Sequence, residues 1–371
     1  MELLRKWDCN VPTLRFSNKT IWEKKRIKDF CEVNPKTEEL EDEFIYIDLE
    51  SVSKGCLLSK NIISKTNAPS RAQRVLTNND ILFQCVRPYQ MNNLLFNAEN
   101  ADFQYVASTG YAQIRTQENP SFVYHLLHSP NFNKEVMLRC TGSSYPAITS
   151  SDLGDIEVYI CGVGEQQKIG HFLDLIDRRI AVQNKIISKY ETLIKGLCDM
   201  IFRHDKSASL SDLVKCKTSA LQENMVSTCP RGEYKVLGAS GAIAVIDTYQ
   251  FDESGILVLK DGSKAGKIQF AQGKYSVIGT SVVLIPNEAC DARYLYFAMS
   301  SIDFEKYKVG SGIPHIYFKD YSNERIYYPD KALRKKITKT LDFYETMVEI
   351  ERKMLSAMQK QKAFLLQSMF I

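Results

Sequence analysis

The sequence predicts two mixed α/β domains in tandem, each followed by one long α-helix. Three observations support this architecture. The chain has 371 residues, of which 44% are hydrophobic and 25% are charged, and this is typical of a globular protein with more than one domain. The chain contains an internal repeat. Each copy of the repeat ends in a proline-free segment with a heptad pattern of apolar residues.

The internal repeat aligns 142–202 with 310–370 at a constant spacing of 168 residues and without a gap. The identities are sparse, but they all keep one register. They include Gly142 and Gly310, Pro146 and Pro314, Asp152 and Asp320, Leu173 and Leu341, and Phe202 and Phe370. The chain is therefore predicted to consist of two copies of one unit, in which a globular part precedes a helix.

The globular part of each copy combines short strands with short helices. Runs rich in β-branched and aromatic residues, bounded by turn residues, predict strands at 44–49, 276–279 and 281–285. Aromatic and aliphatic runs predict short helices at 122–127 and 292–299. Both globular parts are therefore expected to be α/β domains with a substantial sheet.

A heptad pattern fills the segment at the end of each copy. The core positions are Ile169, Leu173, Ile176, Ile180, Gln183, Ile187, Tyr190, Ile194, Leu197 and Ile201 in the first copy, and Ile337, Leu341, Tyr344, Val348, Glu351, Leu355, Met358, Lys362, Leu365 and Met369 in the second. A helix of about 40 residues is about 60 Å long, which is too long for its own small domain to bury. We therefore predict that the two helices pair as an antiparallel intrachain coiled coil, with the copies related by a pseudo-twofold axis.

Two polar residues, Gln183 and Glu351, occupy equivalent core positions in the two heptad patterns. Each is the midpoint of its helical segment, so an antiparallel pairing would bring them together. The amide could then donate a hydrogen bond to the carboxylate and fix the register of the pair. The competing interpretation is that both side chains point to solvent at a splayed crossing.

These patterns divide the chain into four predicted segments. The first globular domain spans 1–160 and its helix spans 161–203. The second globular domain spans 204–328, and the C-terminal helix spans 329–371.

Charge and cysteine content narrow the possible functions. The 48 basic and 44 acidic residues nearly balance, so any surface that binds nucleic acid must be a local patch. The ten cysteines form no C-x-x-C pair, and neither a metal site nor a secreted disulfide framework is expected. No apolar run is long enough to cross a membrane, and we expect a cytoplasmic protein without membrane partners.

Catalytic motifs are absent from the sequence. The segment 119–122 lacks the second proline of the adenine-methyltransferase motif N-P-P-[YF], and 262–267 lacks the spacing of a phosphate-binding loop. No serine-hydrolase or zinc-protease motif is present. The sequence therefore predicts a binding protein with no catalytic residue and no cofactor of its own.

Several loops combine cations, amides and aromatic side chains, which are the groups that proteins use to contact bases and phosphates. The candidates are Arg71, Gln73, Arg74, Arg87, Tyr89, Asn92, Ser143, Ser144 and Tyr145 in the first copy, and Ser263, Lys264, Lys267, Ser311 and His315 in the second. Any one of these residues could simply be solvated. As groups they favour DNA contact, because two such domains held apart need a long repetitive ligand.

Short segments spread along the chain, and the order of domains and helices, resemble one known family. The segments are 12–16 with Trp22, then 71–74, 79–83, 86–89, 165–169 and 362–370. They resemble the specificity subunits of type I restriction–modification systems, and the resemblance covers essentially the whole chain. The chain departs from the family pattern at one junction, because Pro329 precedes the second helix whereas Cys161 stands at the equivalent position of the first.

The resemblance implies a function and a set of partners. Each globular part would be a target-recognition domain that reads half of an asymmetric, bipartite sequence in double-stranded DNA. The helices would form a platform for two methylation subunits that use S-adenosylmethionine. Two restriction and translocase subunits that use ATP and Mg²⁺ would complete the complex.

Two other functions are compatible with the residues themselves. One is a DNA-binding or scaffold protein that works without enzyme partners. The other is a small-molecule enzyme with helical dimerisation arms, although the missing catalytic motifs argue against it. Co-purification with a methyltransferase distinguishes the first of these from a specificity subunit.

Overall fold

The computed structural model describes residues 11–17, 20–98, 102–203, 207–288, 291–310 and 312–371. The chain forms two compact units. The first unit contains Met1–Gln183 and Met354–Ile371, and the second unit contains Asn184–Lys353. Each unit therefore takes segments from both copies of the repeat.

The residues described in the first unit form two four-stranded sheets and two small two-stranded ones. Its strands are Trp22–Arg26 (β1), Cys31–Val33 (β2), Glu43–Ile47 (β3), Val52–Ser53 (β4), Cys56–Leu57 (β5), Asn61–Ser64 (β6), Ala72–Val75 (β7), Ile81–Gln84 (β8), Leu94–Leu95 (β9), Gln104–Ser108 (β10), Tyr111–Thr116 (β11) and Glu157–Cys161 (β12). The larger sheets have the orders β6-β3-β10-β7 and β2-β11-β8-β9, and the smaller ones pair β1 with β12 and β4 with β5. Strands β3 and β10 are parallel, while the other pairs are antiparallel.

Five α-helices begin in the described part of the first unit. They are Ile27–Phe30 (α1), Pro120–Leu126 (α2), Pro130–Arg139 (α3), Ser150–Gly154 (α4) and Val163–Phe202 (α5). Helix α2 starts two residues before the predicted position. The side chain of Asn119 accepts a hydrogen bond from the amide of Phe122, and Pro120 occupies the first turn, where its missing N–H costs nothing.

The second unit repeats this plan with fewer strands. Its strands are Ala208–Ser209 (β13), Val214–Thr218 (β14), Tyr234–Gly238 (β15), Gly241–Ile246 (β16), Gly255–Leu259 (β17), Ile268–Ala271 (β18), Tyr275–Val277 (β19), Ser281–Pro286 (β20) and Arg325–Ile326 (β21). Its helices are Leu210–Leu213 (α6), Glu223–Val226 (α7), Ala292–Met299 (α8), Phe318–Tyr321 (α9) and Lys331–Met369 (α10). The sheets have the orders β14-β20-β17-β18, β16-β15-β19 and β13-β21. The parallel pair of β15 and β19 corresponds to that of β3 and β10.

The two long helices start at equivalent positions of the repeat, Val163 and Lys331. The proline that is missing from the first junction therefore does not shift the start of α5. None of the predicted heptad positions is exposed, whereas most residues between them are. The tandem α/β organisation with a long helix after each domain is confirmed.

Each unit contains an antiparallel pair of helical segments. In the first unit Lys362 forms an ion pair with Asp177, and Phe370 packs on Phe122 in a core that also includes Ile169. In the second unit Tyr190 lies against Tyr344. Phe202 joins the core that contains Leu341. Pairing of the helices as one continuous coiled coil stays a prediction.

The proposed register contact between Gln183 and Glu351 also stays a prediction, because the two residues belong to different units. Gln183 is buried and Glu351 is half-buried. A contact between two core positions requires both side chains to be buried, and Glu351 is only partly so.

The junction between domain and helix is built in the same way in both units. In the first, the Gln166 side chain donates to the carbonyl of Cys161 at 2.7 Å and accepts from the amide of Asn119 at 3.0 Å. At the equivalent position of the second unit, Arg334 donates to the carbonyl of Pro329 at 2.7 Å. A buried polar group at this position thus ties the first turn of each long helix to its domain.

A second contact recurs about two turns further along each helix. His125 of α2 is fully buried, and its Nε2 lies 2.9 Å from Asp174 of α5. At the equivalent positions of the second unit, Arg293 of α8 pairs with Asp342 of α10. Both copies of the repeat thus have a polar contact at this position, but histidine is the partner of the aspartate in the first copy and arginine in the second.

We expect Arg334→Ala to lower the free energy of unfolding by about 3 kcal/mol or more, because it leaves the Asp291 carboxylate buried without its charge partner. Arg334 donates to both oxygens of Asp291 at 3.0 and 2.9 Å, and both side chains are nearly inaccessible to solvent. The control is Arg352→Ala, which removes the exposed ion pair with Glu191 and should cost less than about 1 kcal/mol. Urea unfolding of the full chain measures both, and equal losses would contradict the structural role given to Arg334.

Candidate nucleic-acid interface

In the first unit, a loop after β8 meets the turn that follows α3. The amide of Arg87 donates to the carbonyl of Pro146 at 2.8 Å, and the amide of Ile148 donates to that of Cys85 at 3.1 Å. Thr141 and Ala147 exchange two backbone hydrogen bonds of 2.9 Å each, which closes the turn. The structure therefore joins two loops that the sequence places about 60 residues apart.

Arg87 has a left-handed backbone with φ of 55°, which is uncommon for a residue with a side chain. Its guanidinium lies over the ring of Tyr145, 4.4 Å from the ring centroid. Tyr145 is largely exposed and sits in the turn with Ser143 and Ser144, which are also exposed. The contact gives one preorganised arginine, supported by an aromatic ring, at the surface of the joined loops.

Tyr89 and Asn92 lie on the same loop, but one is exposed and the other forms a hydrogen bond within the protein. Tyr89 is exposed, whereas the Asn92 side chain accepts a hydrogen bond from the amide of Lys54 at 3.2 Å. The side chain of Gln84 stabilises the loop by donating a hydrogen bond to the carbonyl of Val86 and accepting one from the amide of Asn92. The Asn92 side chain is therefore bonded to a neighbouring hairpin, and its amide oxygen already accepts a hydrogen bond there.

The hairpin of β4 and β5 brings a residue to this surface that the sequence analysis missed. Lys54 is exposed at the hairpin tip, with φ of 48°, and is followed by Gly55 with φ of 79°. A Lys-Gly pair between two short strands is a recognisable turn signal. The proximity of Lys54 to Asn92, in contrast, depends on where the fold places the two strands of the hairpin.

The candidates Arg71, Gln73 and Arg74 lie on and just before β7, in the other sheet of the first unit. Arg71 and Gln73 are exposed, and Gln73 donates to the carbonyl of Ser70. Arg74 is half-buried, and burial lowers the pKa of its guanidinium. Its charge acts on Cys85, whose thiol has a pKa raised to about 11 by burial. Arg74 is thus partly withdrawn from solvent, while Arg71 and Gln73 remain available at the surface.

The second unit contains the same pair of loops. The amide of Gly262 donates to the carbonyl of Pro314 at 2.9 Å, and the amide of Ile316 donates to that of Lys260 at 2.9 Å. Gly262 has φ of 93° and occupies the place of Arg87. We call this arrangement, in which two loops are joined by backbone hydrogen bonds, the loop frame. Its left-handed residue occurs in both units, and in the second unit glycine supplies it without a side chain.

The lysine-rich segment of the second unit starts at this glycine. Ser263, Lys264 and Lys267 are all exposed. Ile313, which is the equivalent of Tyr145, is also exposed. Ser311 lies outside the described residues. The joined loops of the second unit thus present lysines where those of the first present an arginine on an aromatic ring.

His315 occupies the second unit's counterpart of Ala147. Its backbone exchanges hydrogen bonds with Val309, and its Nδ1 lies 2.8 Å from the Asp261 carboxylate. The corresponding bridge of the first unit joins Val86 and Ala147. The second unit therefore places a polar pair where the first has two apolar side chains.

Neither a metal centre nor a membrane span is found in the part of the chain that the structure describes. Its histidine, cysteine and carboxylate side chains form no group of three that could hold a metal ion. No described helix is both long enough and apolar enough to cross a bilayer.

The tandem architecture and the repeated loop pairs agree with a family match. The model of the type I restriction modification DNA specificity domain matches residues 20–192 and again 206–359. The chain belongs to this family. The predicted resemblance to the specificity subunits of type I restriction–modification systems is thereby confirmed.

A curated relative within the same group supports the assignment over part of the chain. Over 123 residues, the chain is 28% identical to the specificity subunit of the type I restriction enzyme MjaVIII from Methanocaldococcus jannaschii. The match covers 32% of this chain and spans 28% of the length of that relative.

Solved structures share the fold of this specificity-family chain. The S subunit of a type I restriction–modification system from M. genitalium superposes with a TM-score of 0.65 at 17% identity, covering 97% of this chain and 99% of that one. A chain solved in work on the assembly and conformational transition of a type I R-M system has a TM-score of 0.54 at 20% identity, covering 93% and 96%. These matches confirm the predicted tandem fold.

We expect Gly310→Ala to destabilise the turn of the second unit by about 1–2 kcal/mol, because a side chain is unfavourable at positive φ. Gly310 has φ of 96°, and an added Cβ would lie 2.9 Å from the carbonyl oxygen of Ile313. Gly312→Ala is the matched control in the same turn, since its Cβ would meet nothing within 4 Å. Thermal unfolding compares the two variants. A Gly312 variant as unstable as the Gly310 variant would show that the turn does not depend on this backbone conformation.

Proposed function

We propose that this chain reads double-stranded DNA as the specificity subunit of a type I restriction–modification complex, with each unit reading one half of an asymmetric, bipartite target. The observation that carries the proposal is the repeated loop frame. Both units join an arginine or glycine loop to a G-S-x-x-P turn through the same backbone hydrogen bonds. The side chains on the two frames differ, so the two half-sites should differ as well.

The chemistry of the loops suits two different kinds of contact. In the first unit Arg87, supported by Tyr145, can donate two hydrogen bonds to guanine in the major groove. In the second unit Lys264 and Lys267 are exposed beside glycines, and this arrangement allows a close approach to phosphates. Half-sites read from one face of the duplex would have centres about 10 bp apart.

The long helices support a complex with two copies of one partner. Leu175 and Val182 of α5 are about half exposed, and so are their repeat equivalents Phe343 and Ile350 of α10. On each helix the two residues are seven apart and share one face. Exposed apolar side chains that share one helix face can contribute to a docking surface. Because the pair occurs twice, we assign it to two methylation subunits.

The remaining partners and cofactors complete the proposal. The methylation subunits would bind S-adenosylmethionine, and two restriction and translocase subunits would use ATP and Mg²⁺, all in the cytoplasm. This chain would supply recognition and spacing, with no cofactor of its own. If it instead works without enzyme partners, a co-expressed methylation subunit will not bind it.

We expect Lys264→Ala together with Lys267→Ala to weaken DNA binding and to flatten its salt dependence. The slope of log K against log salt should fall by roughly 1–2, since each phosphate contact contributes about 0.9. Binding of the full chain is measured by fluorescence anisotropy between low and moderate salt. The control replaces Lys215 and Lys217, two exposed lysines of β14, and makes the same change in net charge. A slope that stays at the wild-type value in the loop variant would place Lys264 and Lys267 in solvent.

We expect Leu175→Glu with Val182→Glu to reduce the complex from two methylation subunits to one, and the same changes at Phe343 and Ile350 to do likewise. A charge at the centre of an apolar contact is costly because it loses its water. Native mass spectrometry of the co-expressed complex counts the subunits.

The control for that experiment is Ser188→Glu, an exposed position on a different face of α5, which should keep both partners. DNA binding by the isolated chain should not change in any of these variants. If both pairs of substitutions leave two subunits bound, the apolar pairs are not the docking surface.

A further inference from the structure

His315 and Asp261 form a polar pair that the fold does not require. The second unit holds them across an isolated backbone bridge, and the first unit builds the corresponding bridge from Val86 and Ala147. The backbone hydrogen bonds around the two bridges have the same pattern and similar lengths. The same backbone hydrogen bonds form in the first unit with two apolar side chains at these positions, so the frame does not need a histidine and a carboxylate there.

The geometry of the pair determines which ring nitrogen carries the proton. Nδ1 of His315 lies 2.8 Å from a carboxylate oxygen of Asp261. An ionised carboxylate can only accept a hydrogen bond, so Nδ1 must donate it. In a neutral imidazole the other nitrogen, Nε2, then has a free lone pair and acts as an acceptor.

The ring is held in place and its far edge is accessible. A Cβ built at Gly310 would lie 3.7 Å from Cδ2 of His315, so the ring packs at van der Waals distance from this turn. The His315 side chain is 39% exposed. Nε2 has no hydrogen bond to any residue in the described ranges. The nearby cation is Lys260, whose Nζ lies 3.9 Å from the other oxygen of Asp261.

We propose that His315 is a specificity-determining residue of the second half-site, and that Asp261 is its positioning residue. The inference rests on the proposed DNA-reading function. An acceptor at Nε2 suits a base that presents a donor in the major groove. The exocyclic amino groups of adenine and cytosine are donors there, whereas guanine and thymine present acceptors. His315 therefore favours adenine or cytosine at one position and disfavours the other two bases.

The test is selection of bound duplexes from a randomised DNA library by the purified full-length chain at a pH of about 8.5. We expect the wild type to select a bipartite motif with adenine or cytosine at one position of the second half-site. His315→Ala should reduce the preference at that position by about five- to tenfold. The first half-site should be unchanged and serves as the internal control.

Two further variants separate recognition from structural support. Asp261→Asn should turn its amide N–H₂ toward His315, because Lys260 attracts the carbonyl oxygen. Nε2 then carries the proton, and the preference should move toward guanine or thymine. His315→Gln should restore a preference for adenine, since a glutamine side chain can pair with that base.

The outcomes distinguish this inference from the proposed function. If the wild type selects a motif but His315→Ala changes no position in it, base reading by His315 is refuted while the proposed function stands. If Asp261→Asn keeps the wild-type preference that His315→Ala removes, the positioning role of Asp261 is refuted. If the wild type selects no motif, both the inference and the proposed function are refuted.

Discussion

The fold depends on long helices whose far ends complete the cores of units in which the helices did not begin. Helix α5 starts in the first unit and ends in the second, where Phe202 is buried. Helix α10 starts in the second unit and ends in the first, where Leu365, Leu366, Met369 and Phe370 join the core. Neither globular part therefore has a complete apolar core from its own copy of the repeat. Burial of these side chains couples the stability of both copies to the helices.

The junction that starts each helix shows how the repeat tolerates change. Gln166 and Arg334 occupy equivalent positions, and both donate to the carbonyl two residues before the helix begins. Their other partners differ, because Gln166 accepts a hydrogen bond from the amide of Asn119 whereas Arg334 forms an ion pair with Asp291. A buried polar group must be satisfied, but the identity of its partners is free to vary. The same holds for His125 with Asp174 and Arg293 with Asp342.

The loop frames separate structure from recognition in a similar way. Backbone hydrogen bonds, a left-handed residue and a glycine turn build both frames. The side chains that point away from this backbone are not needed to maintain it. Arg87 on Tyr145 in one unit, and His315 beside Asp261 in the other, are therefore free to differ. On a scaffold of this kind, loop side chains can change without loss of the backbone hydrogen bonds that build the frame.

The sequence by itself determined the tandem repeat, the two long helices and the family, because these leave periodic signals that extend over tens of residues. The heptad pattern marked helix residues that are not exposed, and the spacing of 168 residues located equivalent turns. Only the tertiary structure decided which loops meet. It joined Arg87 to the turn at 142–146, engaged Asn92 with Lys54 and placed Asp261 beside His315. These contacts depend on strand pairing between distant segments, and nothing in local composition encodes the partner of a given strand.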